Sequence, residues 1–204
     1  MLQISLNTAI EPYGISLLED EKLLSEYTWS FSDTGKNDHI TGLDFLLKNL
    51  NKKINDINFL TILSGPGSFT GLRIGFTFAK TINYLFKIPI VTVDAFEVLQ
   101  EKIKVENYLI VINAGLKELF LFKENDIKIV KQSELIEISK ESLIIFPEYY
   151  LFKEFGIGIY LNIDTYTLGK VGFKKFKKGE VIDYKNLVPL YLREIESIFK
   201  KYKT

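Results

Sequence analysis

Apolar and polar positions alternate at the start of the chain, then change period. Leu2, Ile4 and Leu6 alternate with polar neighbours, as in a half-buried strand. Pro12-Tyr13-Gly14 is a turn, and Ile15 to Leu18 and Leu23 to Phe31 read as a second and a third strand, so the chain opens as a β-meander. The polar stretch Ser32 to Asp38, with Gly35, is a loop, and Asn37 or Asp38 caps a helix to about Leu50. On that helix Ile40, Leu43, Leu46, Leu47 and Leu50 share a face, and Phe45 falls opposite. Ile57 to Leu63 is nearly continuous apolar sequence, the pattern of a central strand. A helix over about Leu72 to Phe86 follows. Pro89 then opens a strand, Ile90 to Val93, and Asp94 caps a helix to about Lys102.

After Glu106 the order begins again. Tyr108 to Ile112, Leu119 to Phe122 and Ile127 to Val130 read as strands, Ser133 or Ser139 caps a short helix, and Leu143 to Phe146 is the next strand. Asn7-Thr8-Ala9 and Asn113-Ala114-Gly115 stand in the same place, just after the first strand of each half. The expectation is two similar subdomains, residues 1–103 and 104–204, the second reduced. The order β-β-β-α-β-α-β resembles the ribonuclease-H-like core shared by actin-like ATPases, sugar kinases and nucleases. The expected fold class is therefore α/β, with two such subdomains of mixed sheet flanked by helices.

Composition narrows the chemistry. The 204-residue chain has no cysteine, which removes disulfides, thiolate zinc sites and cysteine nucleophiles. Its one histidine, His39, falls short of a catalytic metal site, which takes two or three such ligands; it reads as a polar residue at a helix start. Formal net charge is zero, whereas a domain that grips RNA alone carries a basic excess. The run Lys174, Lys175, Lys177, Lys178 reads as a solvated face. The only arginines are Arg73 and Arg193. Leu143 to Phe152 is too short to span a bilayer and is broken by Pro147 and Glu148. With no targeting segment at the start, a cytoplasmic protein is expected.

The stretch Gly65-Pro66-Gly67-Ser68-Phe69-Thr70-Gly71-Leu72-Arg73-Ile74-Gly75 is a strand-to-helix elbow. Gly supplies unusual backbone angles, Pro66 fixes a dihedral, and Ser68 or Thr70 can cap the helix. It lacks the Gly-Lys-Ser/Thr of a P-loop and has Thr70 where a dinucleotide fingerprint needs glycine. Pro66 stands where a nucleophile elbow needs glycine. In the helix beyond, Leu72, Ile74, Phe76, Phe78, Ala79, Ile82, Leu85 and Phe86 cover roughly 200° of the wheel, about twice what a helix lying on a sheet needs. The excess can meet the neighbouring helix or a second chain, and Gly71 and Gly75 would let another backbone come close.

This elbow closely resembles the signature of the TsaB (YeaZ) family, Gly-Pro-Gly-Ser-Phe-Thr-Gly-Leu/Val-Arg-Ile-Gly, over eleven consecutive positions. Ile88 to Asp94 and Pro189-Leu190-Tyr191-Leu192-Arg193 are also similar to family segments. The resemblance implies an actin-like (ASKHA) fold and a non-catalytic scaffold or activator. That subunit would pair with TsaD, the larger relative carrying the metal and ligand site, and act with the ATPase TsaE in threonylcarbamoylation of the tRNA adenosine beside the anticodon. It implies no catalytic residue, metal or cofactor of this chain's own, contact with tRNA only through the complex, no membrane association, and a heterodimer or homodimer through the first-subdomain helices. The residues expected at that interface are Phe45, Gly71, Leu72, Arg73, Gly75, Phe76, Ala79 and Asn83, with Gly65 to Thr70 as the motif loop.

The chain departs from the family at Asn7, where Asp is usual, and at Asn113-Ala114-Gly115, where Asp-Ala-Arg is usual. Two amides cannot hold a hard cation as carboxylates do. That disfavours one alternative, an ATP-dependent phosphotransferase of the same fold, and the lone His39 disfavours the other, a peptidase that would need paired histidines on a helix.

Overall fold

The computed structural model describes residues 1–30 and 38–192. Of the predicted loop Ser32 to Asp38, residues 32–37 lie outside the described residues, as does Arg193.

Two five-stranded sheets carry the described residues. The first comprises β1 (Leu2–Asn7), β2 (Tyr13–Glu19), β3 (Lys22–Trp29), β4 (Phe59–Leu63) and β5 (Ile90–Val93), in the order β3-β2-β1-β4-β5. The first three strands run antiparallel, and β4 and β5 add in parallel on the other side of β1. The second comprises β6 (Tyr108–Gly115), β7 (Glu118–Lys123), β8 (Asp126–Lys131), β9 (Leu143–Phe146) and β10 (Ile159–Tyr160), in the order β10-β9-β6-β7-β8. Its β6-β7-β8 part is antiparallel and its β6-β9-β10 part parallel. The topology therefore repeats strand for strand, and the fold is the expected two-sheet α/β class.

Among the described residues six helices accompany the strands: α1 (Asp38–Asn49), α2 (Phe69–Phe86), α3 (Ala95–Lys102), α4 (Leu135–Ile138), α5 (Tyr149–Phe155) and α6 (Thr165–Lys177). The second repeat keeps the whole element order, but α4 spans 4 residues and β10 only 2. Helix α3 starts as expected: the Asp94 carboxylate accepts from the Glu97 amide and the Glu97 side chain accepts from the Asp94 amide, both at 2.8 Å.

Helix α6 belongs to the second half by sequence but packs on the first sheet and on α3. Gly169 lies against Leu18 and Ser5, and Gly172 against Thr61, at distances that leave no room for a β-carbon. The buried Gln3 ties the contact together: its amide donates to the Gly169 carbonyl at 3.1 Å and its oxygen accepts from Thr61 at 3.0 Å. Phe59 stacks on Phe176 at 4.1 Å. The lysine run is the solvated face expected at Lys174, Lys177 and Lys178, with Lys175 half-buried, and two of its members are also paired. Lys174 pairs with Glu101 at 2.7 Å and Lys175 with Glu97 at 2.9 Å, joining α6 to α3.

Helix α1 packs on β2 and β3, and α2 on β4. Leu43 and Leu46 are buried as the wheel predicts, and Leu47 and Leu50 are half-buried. Ile40 departs from the expectation: it is 52% exposed, because the first turn of α1 lies beside α2 rather than over the sheet.

Candidate functional site

The glycine-rich elbow connects β4 to α2, and its residues serve the chain's own fold. Gly65 has φ +117° and is followed by a cis bond to Pro66, so the expected need for a glycine backbone falls on Gly65. The loop is laced to three other segments. The Ser68 amide donates to the Ala9 carbonyl at 2.8 Å, the Ala95 amide to the Gly65 carbonyl at 2.8 Å, and the Leu190 amide to the Ser64 carbonyl at 2.9 Å. Ser68 is the helix cap, its hydroxyl accepting from the Gly71 amide at 3.2 Å. The elbow thus organises the junction of β1, β4, α3 and the Pro189–Leu192 segment.

The interface residues expected on α2 divide sharply. Gly71, Leu72, Gly75, Phe76 and Ala79 are buried within this chain. A β-carbon on Gly71 would overlap the Thr8 carbonyl, and one on Gly75 would meet the Thr8 hydroxyl oxygen at 2.6 Å. The close approach those glycines permit in this structure is to β1's own exit loop, and the five residues are largely covered by the chain itself. Asn83 is also turned inward: its side chain donates to the Ile88 carbonyl at 2.8 Å and closes the end of α2. Phe45 is 47% exposed and leans on Tyr27, with ring centroids 6.0 Å apart. Arg73 is exposed, its guanidinium 5.2 Å above the Phe69 ring.

The outward face of α2 is a different stripe. Thr70, Ile74, Thr77 and Thr81 are spaced four, three and four apart, the spacing of a helix–helix seam. With His39 and Ile40 of α1 they line a groove of about 500 Å³. Thr77 donates its hydroxyl to the Arg73 carbonyl at 2.7 Å, and Thr81 to the Thr77 carbonyl at 2.9 Å. Each hydroxyl is thus spent on the helix, and the methyl is the group left for the groove. His39 sits edge-on to Phe78, centroids 5.4 Å apart, and burial lowers its pKa against the opposing pull of Asp38.

The second candidate is a cleft of about 870 Å³ between the sheets, where the loops after β1, β4, β6 and β9 meet. In an actin-like ATPase the ends of the first strands would bring carboxylates here. This chain brings amides, both engaged. Asn7, fully buried, donates to the carbonyls of Ile10 at 2.7 Å, Pro12 at 3.2 Å and Ile163 at 3.2 Å, and accepts from the amides of Ala9 and Ile10. Asn113 donates to the Tyr150 hydroxyl at 2.6 Å and accepts from the Gly115 amide at 2.8 Å. Sequence reasoning missed Glu148 and Tyr150. Glu148 accepts from the Asn113 amide at 2.7 Å and from Tyr150 at 3.1 Å, and desolvation raises its pKa against those two hydrogen bonds. No group of three or more potential metal ligands exists among the described residues.

The geometry defines a class: a duplicated, two-sheet α/β protein of the actin-like type, whose strand ends carry structural amides in place of metal-holding acids. Residues 38–152 match the family described as TsaD, tRNA N6-adenosine threonylcarbamoyltransferase, and since that is more than half of the chain, the chain belongs to this family, as a member of its TsaB/YeaZ branch. It is 30% identical over 99 residues to the tRNA threonylcarbamoyladenosine biosynthesis protein TsaB of Bacillus subtilis (strain 168), covering 48% of this chain and 43% of that one. It is 27% identical over 107 residues to TsaB of Buchnera aphidicola subsp. Acyrthosiphon pisum, covering 48% of each. The tRNA N6-adenosine threonylcarbamoyltransferase of Persephonella marina is 29% identical over 112 residues, 50% of this chain and 33% of that one. The chain spans about half the length of the curated TsaB relatives it matches. The structure of YeaZ from Pseudomonas aeruginosa superposes with a TM-score of 0.72 at 15% identity, over 94% of this chain and 99% of that one, a likeness of fold. No described helix is long and apolar enough to cross a membrane.

Proposed function

We propose that this chain is a non-catalytic subunit of the machinery that forms threonylcarbamoyladenosine in tRNA, docking on a TsaD-type transferase through the outer face of α1 and α2. The observation that carries the reading is the Thr70–Ile74–Thr77–Thr81 seam beside His39 and Ile40, a shallow groove whose Thr77 and Thr81 hydroxyls are already bonded to the helix. Such a surface suits a second helix, because the Thr77 and Thr81 hydroxyls keep their partners when water leaves, and that helix would also have to pair the exposed Arg73 lining the same groove. Three relatives named for threonylcarbamoyladenosine biosynthesis support the process. The engaged amides of Asn7 and Asn113 support a role without metal chemistry of its own. On this reading the chain needs no cofactor, works in the cytoplasm with a TsaE-type ATPase, and meets tRNA only within the complex.

The test is co-purification with the TsaD of the same organism and mass measurement by light scattering. The expected result is a 1:1 complex, lost in Ile74→Glu and in Thr77→Arg while both variants keep their melting temperature. A complex that survives both substitutions overturns the proposed face. Absence of any complex, with or without TsaE and nucleotide, overturns the subunit reading. Self-association lost in the same two variants would assign the face to a homodimer instead.

A further inference from the structure

We infer that the helix seated on the α2 seam belongs to a different protein and carries acidic side chains along one flank, where Arg73 and Lys80 meet them. The inference rests on the docking reading and adds the chemistry of the partner.

Beyond Thr81 the seam reaches Tyr84, which is 58% exposed. Thr70, Ile74, Thr77, Thr81 and Tyr84 alternate steps of four and three, the d and a places of a helix–helix seam. Each a place, Ile74 and Thr81, is preceded by a basic residue, Arg73 and Lys80. Seven residues apart, these two stand on one flank, roughly 10 Å from each other along the axis. Lys87, at the next such step, is the C-cap of α2 and holds its ammonium 5.2 Å from the Tyr84 centroid. The opposite flank, after each d place, is Gly71, Phe78 and Leu85. There Gly71 and Phe78 are buried within the chain, and Phe78 meets His39 of α1. One flank is thus closed by the chain's own packing, and the other is open and basic.

That charge is uncompensated. Helix α2 contains no Asp or Glu. Arg73, Lys80 and Lys87 make no ion pair among the described residues. On α1 the Asp44 carboxylate is already paired with Lys48 at 2.6 Å. The Arg73 guanidinium rests over the Phe69 ring, so it is held at the end of the seam before any partner arrives. A helix covering the seam takes both cations partly out of water, which is costly unless carboxylates face them.

The same flank argues against a second copy of this chain. Two α2 seams in antiparallel contact set basic flank on basic flank. In parallel contact they set it on Gly71, Phe78 and Leu85, which carry no charge. Flanking charges of this kind choose partner and orientation, and like charges in opposition reject the wrong one.

The experiment measures association of the full chain with the TsaD-type transferase of the same organism by surface plasmon resonance at several salt concentrations, with light scattering of the chain alone. The expected wild-type association rate falls steeply with salt, and the chain alone scatters as a monomer. The doubly neutral Arg73→Gln/Lys80→Gln variant should lose most of the salt dependence and bind about tenfold more weakly at low salt, with unchanged circular dichroism. Arg73→Glu/Lys80→Glu should abolish the complex, and acid-to-lysine exchanges on the partner's docking helix should restore it. A complex that is lost in Ile74→Glu but keeps its affinity and salt dependence in the neutral variant overturns the inference and leaves the docking reading standing. No complex at all overturns both. A wild-type dimer dispersed by Ile74→Glu overturns the choice of a different protein over a second copy.

Discussion

The Thr8 hydroxyl donates to the Gly71 carbonyl at 2.8 Å, and a β-carbon on Gly71 would overlap the Thr8 carbonyl oxygen. The exit of β1 and the first turn of α2 are therefore in backbone contact, with glycine the only residue that fits. Gly71→Ala should cost about 3 kcal/mol, the upper range for overpacking, because backbone must move on both sides. Gly75→Ala meets only the end of the Thr8 side chain, at 2.6 Å, and should cost about 1 kcal/mol. Urea unfolding of both variants checks the ranking, and equal midpoints would refute it.

That contact also shows where sequence reading stopped. The elements of the first sheet were legible because their apolar period changes cleanly from two to near four. The width of the apolar face of α2 was legible too, but not which part of it turns inward. Leu72, Phe76 and Ala79 meet the chain's own sheet, while Ile74, 42% exposed, stands on the outer side. A helical wheel gives angles between side chains and no direction to the core. Helix α6 was missed for another reason. Gly169 and Gly172 lower the helical signal, and they are there because α6 sits against Ser5 and Thr61. Asn7 and Asn113 were noticed as departures, but their bonds lead to Ile163 and Tyr150, distant in sequence and invisible without the fold.

Asn7 points its NH2 group at three carbonyl oxygens, the nearest at 2.7 Å. A carboxylate there would have no proton to give and would face three negative dipoles while fully buried. Asn7→Asp, the substitution that restores the residue usual in actin-like relatives, should therefore destabilise by about 3 kcal/mol near neutral pH. Thermal unfolding beside the wild type checks this, and an unchanged melting temperature would show that the loop re-forms around the acid.

Glu148 gives a pH dependence with a definite sign. Burial raises its folded pKa above the unfolded value, against hydrogen bonds from Asn113 and Tyr150. A carboxyl so shifted binds more protons folded than unfolded, so its contribution is fully present below the ordinary glutamate range and is lost as pH rises through the folded value. Glu148→Gln removes that titration. Its stability relative to wild type should rise from acid pH towards neutrality, measured as the difference in urea midpoints at several pH values. A flat difference would show that Glu148 ionises without penalty in the fold.

The last prediction concerns the joint that brings α6 back to the first sheet. The Lys102 ammonium at the end of α3 lies 2.6 Å from the Asp164 carboxylate and 2.6 Å from the Asn162 carbonyl. Asp164 also caps α6, accepting from the Thr167 amide at 2.7 Å. The side chains of the pair are 18% and 25% exposed. Burial pushes the Asp164 pKa up, but the Lys102 hydrogen bond and charge and the bonds from Thr167 carry it below the ordinary value. A lowered carboxyl stabilises the fold above the unfolded pKa, and that contribution is lost as pH falls through the folded value. Lys102→Met strands the carboxylate and should cost about 2 kcal/mol at neutral pH, less than a fully buried pair because water reaches part of it. The cost should shrink as acid protonates Asp164 in both proteins. Paired urea titrations at neutral and strongly acidic pH decide the matter: a loss that does not narrow with acid would mean that Lys102 acts through the packing of its aliphatic stem rather than through its charge.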